Sequence, residues 1–233
     1  LFIRAAALTS AFVFSTALSA HYSWIMPSKK DCRIEIGHGH NYPISEQAMN
    51  KERIRATLFD SSGHSIPGII SKESDCLSVA PSTSLKEIAA ALFIEEPLIL
   101  NRTTKGVKTG PMSGCTGVID SFRRHRCGFF QSAANRSFES VPDQLTIRCK
   151  KDEKGWYLSC RFGDKTLSGL EIEVIEPLSK EGRKLGVTDA EGRLAFRGEK
   201  SGPHLFTARW SQPCSGTDTL RDEYISTLVL TIE

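Results

Sequence analysis

Charge of one sign is what this chain of 233 residues most plainly lacks, since 30 Lys and Arg stand against 27 Asp and Glu, a formal net charge of +3. That balance excludes the basic footprint of a nucleic-acid binder, and no nucleic-acid partner is expected. The one local concentration of basic residues, Arg123-Arg124-His125-Arg126, reads as a solvated loop. Long apolar runs are equally scarce. Only Ala5 to Leu18 is uninterrupted, and it is too short to span a bilayer, so no integral membrane segment is expected after its removal. The Gly-x-x-x-x-Gly-Lys-Ser/Thr spacing of a phosphate loop is missing. No Ser/His/Asp or Cys/His arrangement marks a nucleophile, and a non-enzymatic protein is expected. Around Thr188-Asp189-Ala190-Glu191-Gly192-Arg193 the carboxylates are too few and wrongly spaced for a calcium loop.

The N-terminal run carries information about place. Arg4 precedes the apolar stretch, which ends at the small residues Ser19 and Ala20, the pattern of a secretory signal peptide over residues 1–19. A periplasmic or secreted product follows. Cleavage before Ala20 or before His21 would leave His21 at the end of the mature chain, with an amine beside its imidazole. Such nitrogen donors favour late first-row divalent ions, nickel and copper above all.

Seven cysteines in an exported chain predict disulfides with one thiol left over. A hairpin turning at Lys154-Gly155 would set Glu153 opposite Trp156, and the same register would put Cys149 opposite Cys160. Cys115 and Cys127 bracket a Gly-containing loop and form the second expected pair. A zinc site of Cys115, His125 and Cys127 lacks a fourth ligand.

The patterning is that of an all-β protein built from β-sandwiches. Tyr22 to Pro27, Asp31 to Gly37 and Arg53 to Asp60 read as short strands bounded by turn residues. Ser84-Leu85-Lys86-Glu87 fits a capping box, whereas Ala90 to Ile94 suits a strand among strands. Thr103 to Cys115 reads as a long loop and Ser121 to Ser140 as irregular. Val141-Pro142-Asp143 is the expected boundary between an N-terminal β-rich domain over residues 20–142 and a C-terminal domain over 143–233. In the latter, seven runs between Leu145 and Ile232 alternate at turn-punctuated intervals, which predicts an immunoglobulin-like sandwich of about seven strands.

Chemistry concentrates at Gly37-His38-Gly39-His40-Asn41-Tyr42-Pro43. Two imidazoles at i and i+2 project from one face of an extended segment and can reach one ion. The glycines remove Cβ atoms that would crowd the approach and permit a bend. His21, His38 and His40 are the candidate metal ligands, with Asn41 and Glu46 as residues that orient or assist them. If no metal binds, His38 and His40 are hydrogen-bonding turn residues of a structural or adhesion-type module.

These motifs, with Trp24, Ile44, Arg102-Thr103-Thr104-Lys105-Gly106, Leu167-Ser168-Gly169 and Gly202-Pro203-His204, resemble the periplasmic component family of bacterial cobalt and nickel uptake systems. The likeness spans nearly the whole chain after residue 20. It implies a metal-handling protein that serves a membrane metal transporter, holding nickel or cobalt through His21, His38 and His40; the affinity order separately makes copper an alternative cargo. The seven cysteines are not part of the family's motif.

Overall fold

In the computed structural model, residues 21–28, 31–132, 141–153, 155–179, 181–197, 201–214 and 216–232 are described. The signal-peptide reading of residues 1–19 and the amine of Ala20 therefore lie outside the described residues.

Strand formation dominates, as the period-two patterning predicts. The strands run β1 (Tyr22–Pro27), β2 (Ile34–Gly39), β3 (Ile54–Phe59), β4 (Ser65–Ile66), β5 (Gly68–Lys72), β6 (Leu77–Pro81), β7 (Ala90–Thr103), β8 (Gly106–Thr109) and β9 (Val118–Gln131). They continue as β10 (Leu145–Asp152), β11 (Gly155–Phe162), β12 (Lys165–Thr166), β13 (Glu171–Ile175), β14 (Arg183–Val187), β15 (Arg193–Phe196), β16 (Gly202–Pro213) and β17 (Arg221–Ile232). Among the described residues, only 3-10 turns interrupt them, and no helix is long and apolar enough to cross a membrane.

The strands form three sheets. One outer sheet has the order β1-β2-β6-β5, the other is β10-β11-β12 with β15 also paired to β11. Between them lies a sheet of order β14-β13-β16-β17-β9-β7-β3-β4, with β8 attached to β7. Alternate residues of this central sheet enter different cores. Ala91 and Phe93 of β7 pack with the first core while Leu92 and Ile94 pack with the second, and Val229 is separated in the same way from Leu228 and Leu230. The chain is thus an all-β sandwich of three layers, whose middle strands are buried on both sides and read as continuous rather than alternating apolar runs.

Several expectations change in this light. The boundary at residues 142–143 falls between β9 and β10, but β9 pairs in parallel with β17, so one sheet carries strands from both halves of the sequence. Ser121 to Gln131 belongs to β9 rather than to an irregular stretch, and Arg123-Arg124-His125-Arg126 is not a solvated loop. Its charges are matched across the sheet: Arg124 Nε lies 3.0 Å from Glu223 Oε2, Arg126 Nη1 3.0 Å from Glu95 Oε2 and His125 Nε2 3.2 Å from Asp222 Oδ1. Cross-strand carboxylates on β17 and β7 make a basic run compatible with a central strand, a pairing that local sequence cannot display.

At Ser84 both local readings have a part. The Ser84 side chain accepts from the Lys86 amide at 3.4 Å to start a single 3-10 turn, and β7 begins at Ala90. The expected loop after Thr103 contains β8, which folds back on β7.

The cysteine pairing also differs. Asp152 pairs with Gly155, which sets Cys149 opposite Leu158 and Cys160 opposite Ile147, two residues away from the expected register. All seven cysteines are thiols in this structure. Cys127, expected to pair with Cys115, instead points its thiol into the second core, donating to the Leu145 carbonyl at 3.0 Å. Gly155, with φ 122°, opens the strand at the end of the hairpin, and this placement of the turn decides the register.

Candidate metal centre

The antiparallel register of β1 and β2 builds the site. Tyr22 pairs with Gly39 and Ser23 with His38, so the next position outward sets His21 against His40. On a pleated pair, directly opposed side chains and their diagonal neighbours touch. The His21 and His40 rings lie 3.8 Å apart between centroids and are tilted by 52°. His38, the diagonal neighbour, stacks on His21 at 5.1 Å with the planes 14° apart. Along β2 the row Ile34, Ile36, His38 shares one face, and the exposure rises from the fully buried isoleucines through His38 to the half-buried His40. The histidines therefore stand where the first core reaches the surface.

Beyond His40 the chain reverses through Asn41-Tyr42-Pro43-Ile44, with a cis bond between Tyr42 and Pro43 and the Ile44 amide bonded to the Asn41 carbonyl at 2.7 Å. It returns antiparallel, and the Glu46 amide donates to the His38 carbonyl at 2.9 Å. Ser45 fastens the return: its hydroxyl accepts from the His38 amide at 3.0 Å and donates to the Asp75 carbonyl at 2.6 Å. Both glycines of the motif serve close approach. A Cβ at Gly37 would stand 2.3 Å from Cε2 of the cross-strand Trp24 ring, and one at Gly39 would stand 2.8 Å from Cγ of Glu46. The buried Trp24 ring has no room to accept it, whereas the exposed Glu46 side chain would have to swing away from His40. Tyr42 closes over Trp24 in an edge contact with centroids 5.4 Å apart, which anchors the turn to the core.

The turn delivers a carboxylate to the histidines. Glu46 Oε2 lies 2.8 Å from Nδ1 of His40, and Asn41 Nδ2 donates to the other oxygen, Oε1, at 2.7 Å. The hydrogen bond with His40 holds the Glu46 carboxyl below the usual range. In the neutral tautomer that donates Nδ1–H to Glu46, His40 carries its lone pair on Nε2, the arrangement in which a carboxylate orients a ligating imidazole.

Among the described residues, His21, His40 and Glu46 each offer one ligand atom, all within 4.8 Å of one another. The candidate ligand set from sequence thus reappears with a change of membership. Glu46, expected as an orienting residue together with Asn41, stands among the converging donors, and His38 stands behind them. Nδ1 of His38 faces the Ser23 hydroxyl at 2.8 Å. Burial, then the nearby Arg126 guanidinium, push the His38 pKa down to about 3, so its ring is neutral at physiological pH. Sequence reasoning missed Arg126, because nothing local ties β9 to the histidine turn.

None of the seven cysteines joins this group. No known protein family, curated protein or solved structure matches the chain. Two imidazoles and one carboxylate form a borderline set, suited to cobalt, nickel, copper(II) or zinc and poorly suited to soft copper(I).

Proposed function

We propose that this chain is an exported, non-enzymatic protein that binds a divalent metal ion, nickel or cobalt, at His21, His40 and Glu46 and hands it to a membrane metal transporter. The observation that carries the proposal is the convergence of donors from two separate segments, the start of β1 and the turn after β2. Three further features support it. His38 gives the site a neutral, buried wall. The carboxylate of Glu46 is fixed by Asn41. The apolar run ahead of residue 20 agrees with export. Copper(II) is the competing cargo, because the affinity order places it above nickel in any such donor set.

Titration calorimetry with nickel, cobalt and copper(II) tests the reading. One ion per chain is expected, with loss of affinity on the order of tenfold or more for His40→Ala and Glu46→Gln. Equal heats for all three proteins would refute it.

A second reading is a structural or adhesion-type module, favoured by the His40–Glu46 pair, which satisfies both side chains without an ion. It requires that none of the metals bind.

A further inference from the structure

The arginines of β9 meet carboxylates across the sheet, but two arginines on the small outer sheet do not. We propose that the outward face of β10, β11 and β15 binds a linear anionic polysaccharide. This face lies on the far side of the central sheet from the histidines, and the proposal stands apart from the metal reading.

Register builds the face. Ser159 of β11 is paired with Arg148 of β10 on one side and with Arg193 of β15 on the other. Ile147, Leu158 and Cys160 enter the second core, so the period of two turns Arg148, Lys150, Ser159 and Arg161 outward. Arg161 Nη2 donates to the Asp164 carbonyl at 2.6 Å, and the Arg193 guanidinium lies 5.2 Å over the Tyr157 ring. Among the described residues, neither Arg161 nor Arg193 pairs with a carboxylate. Arg161 is also near enough to Arg148 to push its pKa down, in addition to burial, so like charges stand together. Among the described residues of the three strands, the one carboxylate with the outward period is Asp152, at the hairpin end of β10.

The spread of charge selects a polymer. Strands about 4.8 Å apart put the backbones of Arg148 and Arg193, two strands away from each other, about 10 Å apart. Arg193 leans over Tyr157 while Arg161 reaches towards the turn after β11, so the guanidiniums spread instead of closing on one ion. A chain with anionic groups at intervals can meet them in turn, and each guanidinium fork can donate twice to one oxyanion. Tyr157, the aromatic ring of this face, is already stacked under Arg193, which disfavours the base stacking of single-stranded nucleic acid. None of the large exposed apolar side chains lies on these strands, which disfavours insertion into a lipid surface.

Fluorescence anisotropy of labelled dextran sulfate, titrated with the full chain at several salt concentrations, is the test. Binding is expected for dextran sulfate and not for uncharged dextran. Arg161→Gln and Arg193→Gln are each expected to weaken it on the order of fivefold. Lys72→Gln, an exposed charge of β5 on the other outer sheet, is expected to leave it unchanged. Arg193 is exposed, so its substitution probes the face even where Arg161→Gln fails to fold. Absence of binding, equal losses for Lys72→Gln, or tighter binding of a single-stranded oligonucleotide or of phosphatidylglycerol vesicles would each overturn the proposal.

Discussion

At the scale of single residues, His38 shows how position converts one imidazole into something unlike its neighbours. It shares a face with His40, two residues on, yet burial and Arg126 hold its pKa near 3. The unfolded chain protonates this ring at the ordinary value of 6.5. Above that pH the ring is neutral in both states and adds no pH dependence. Below it, the unfolded state takes up a proton that the folded state refuses until about pH 3, so stability falls as pH falls through that window. The slope from this one group approaches about 1.4 kcal/mol per pH unit. Urea midpoints measured between pH 6.5 and 5, above the carboxylate range, are expected to drop for the native chain and to stay flatter for His38→Gln. The i and i+2 spacing of His38 and His40 was legible in sequence, and His21 stood out as a candidate ligand, but the β1–β2 register that brings it near was not. The exchange of roles between His38 and Glu46 was not. It depends on the return of the chain after Pro43 and on a guanidinium from β9, far away in sequence.

At the scale of elements, hairpin register separates legible from illegible features. The alternation in β10 and β11 announces a hairpin with one buried face, and the structure has it. The pairing of Cys149 and Cys160 depended on which residues turn, and a shift of the turn moves every cross-strand partner. Cys127, Cys149 and Cys160 end buried in the second core, and burial pushes all three thiols up to about 12. The thiolate is the reactive form. In the native protein these three cysteines are expected to resist maleimide at pH 7.5 while exposed Cys32 reacts, and all seven are expected to react in denaturant. Mass spectrometry after labelling reads this directly. Rapid native labelling of Cys149 or Cys160, or a disulfide between them, would contradict the register. The same element-scale logic explains β9, whose basic residues look solvent-exposed until the carboxylates of β7 and β17 are placed beside them.

At the scale of the whole molecule, the central sheet is common to both cores. Phe93 belongs to the first and Phe206 to the second, both with essentially no exposure, yet their strands lie in one ladder through β9 and β17. Loss of either core removes packing from one face of strands that the other core needs. A single cooperative transition is therefore expected for the native chain, with Phe93→Ala and Phe206→Ala each shifting that one transition by about 3–5 kcal/mol. Calorimetric and far-UV traces that resolve into two transitions, one moved by each substitution, would show that the two halves unfold independently.

By itself, the sequence determined the strand class, the existence but not the register of the β10–β11 hairpin, and which side chains could serve as donors, because alternation, turn residues and side-chain type are local properties. Only the tertiary structure decided that both halves share a sheet, that the basic run of β9 is neutralised in place, and that Glu46 joins His21 and His40 while His38 stands behind. Each of those outcomes is a contact between segments distant in the chain. Such contacts are set by register and layer packing, which depend on all the strands at once.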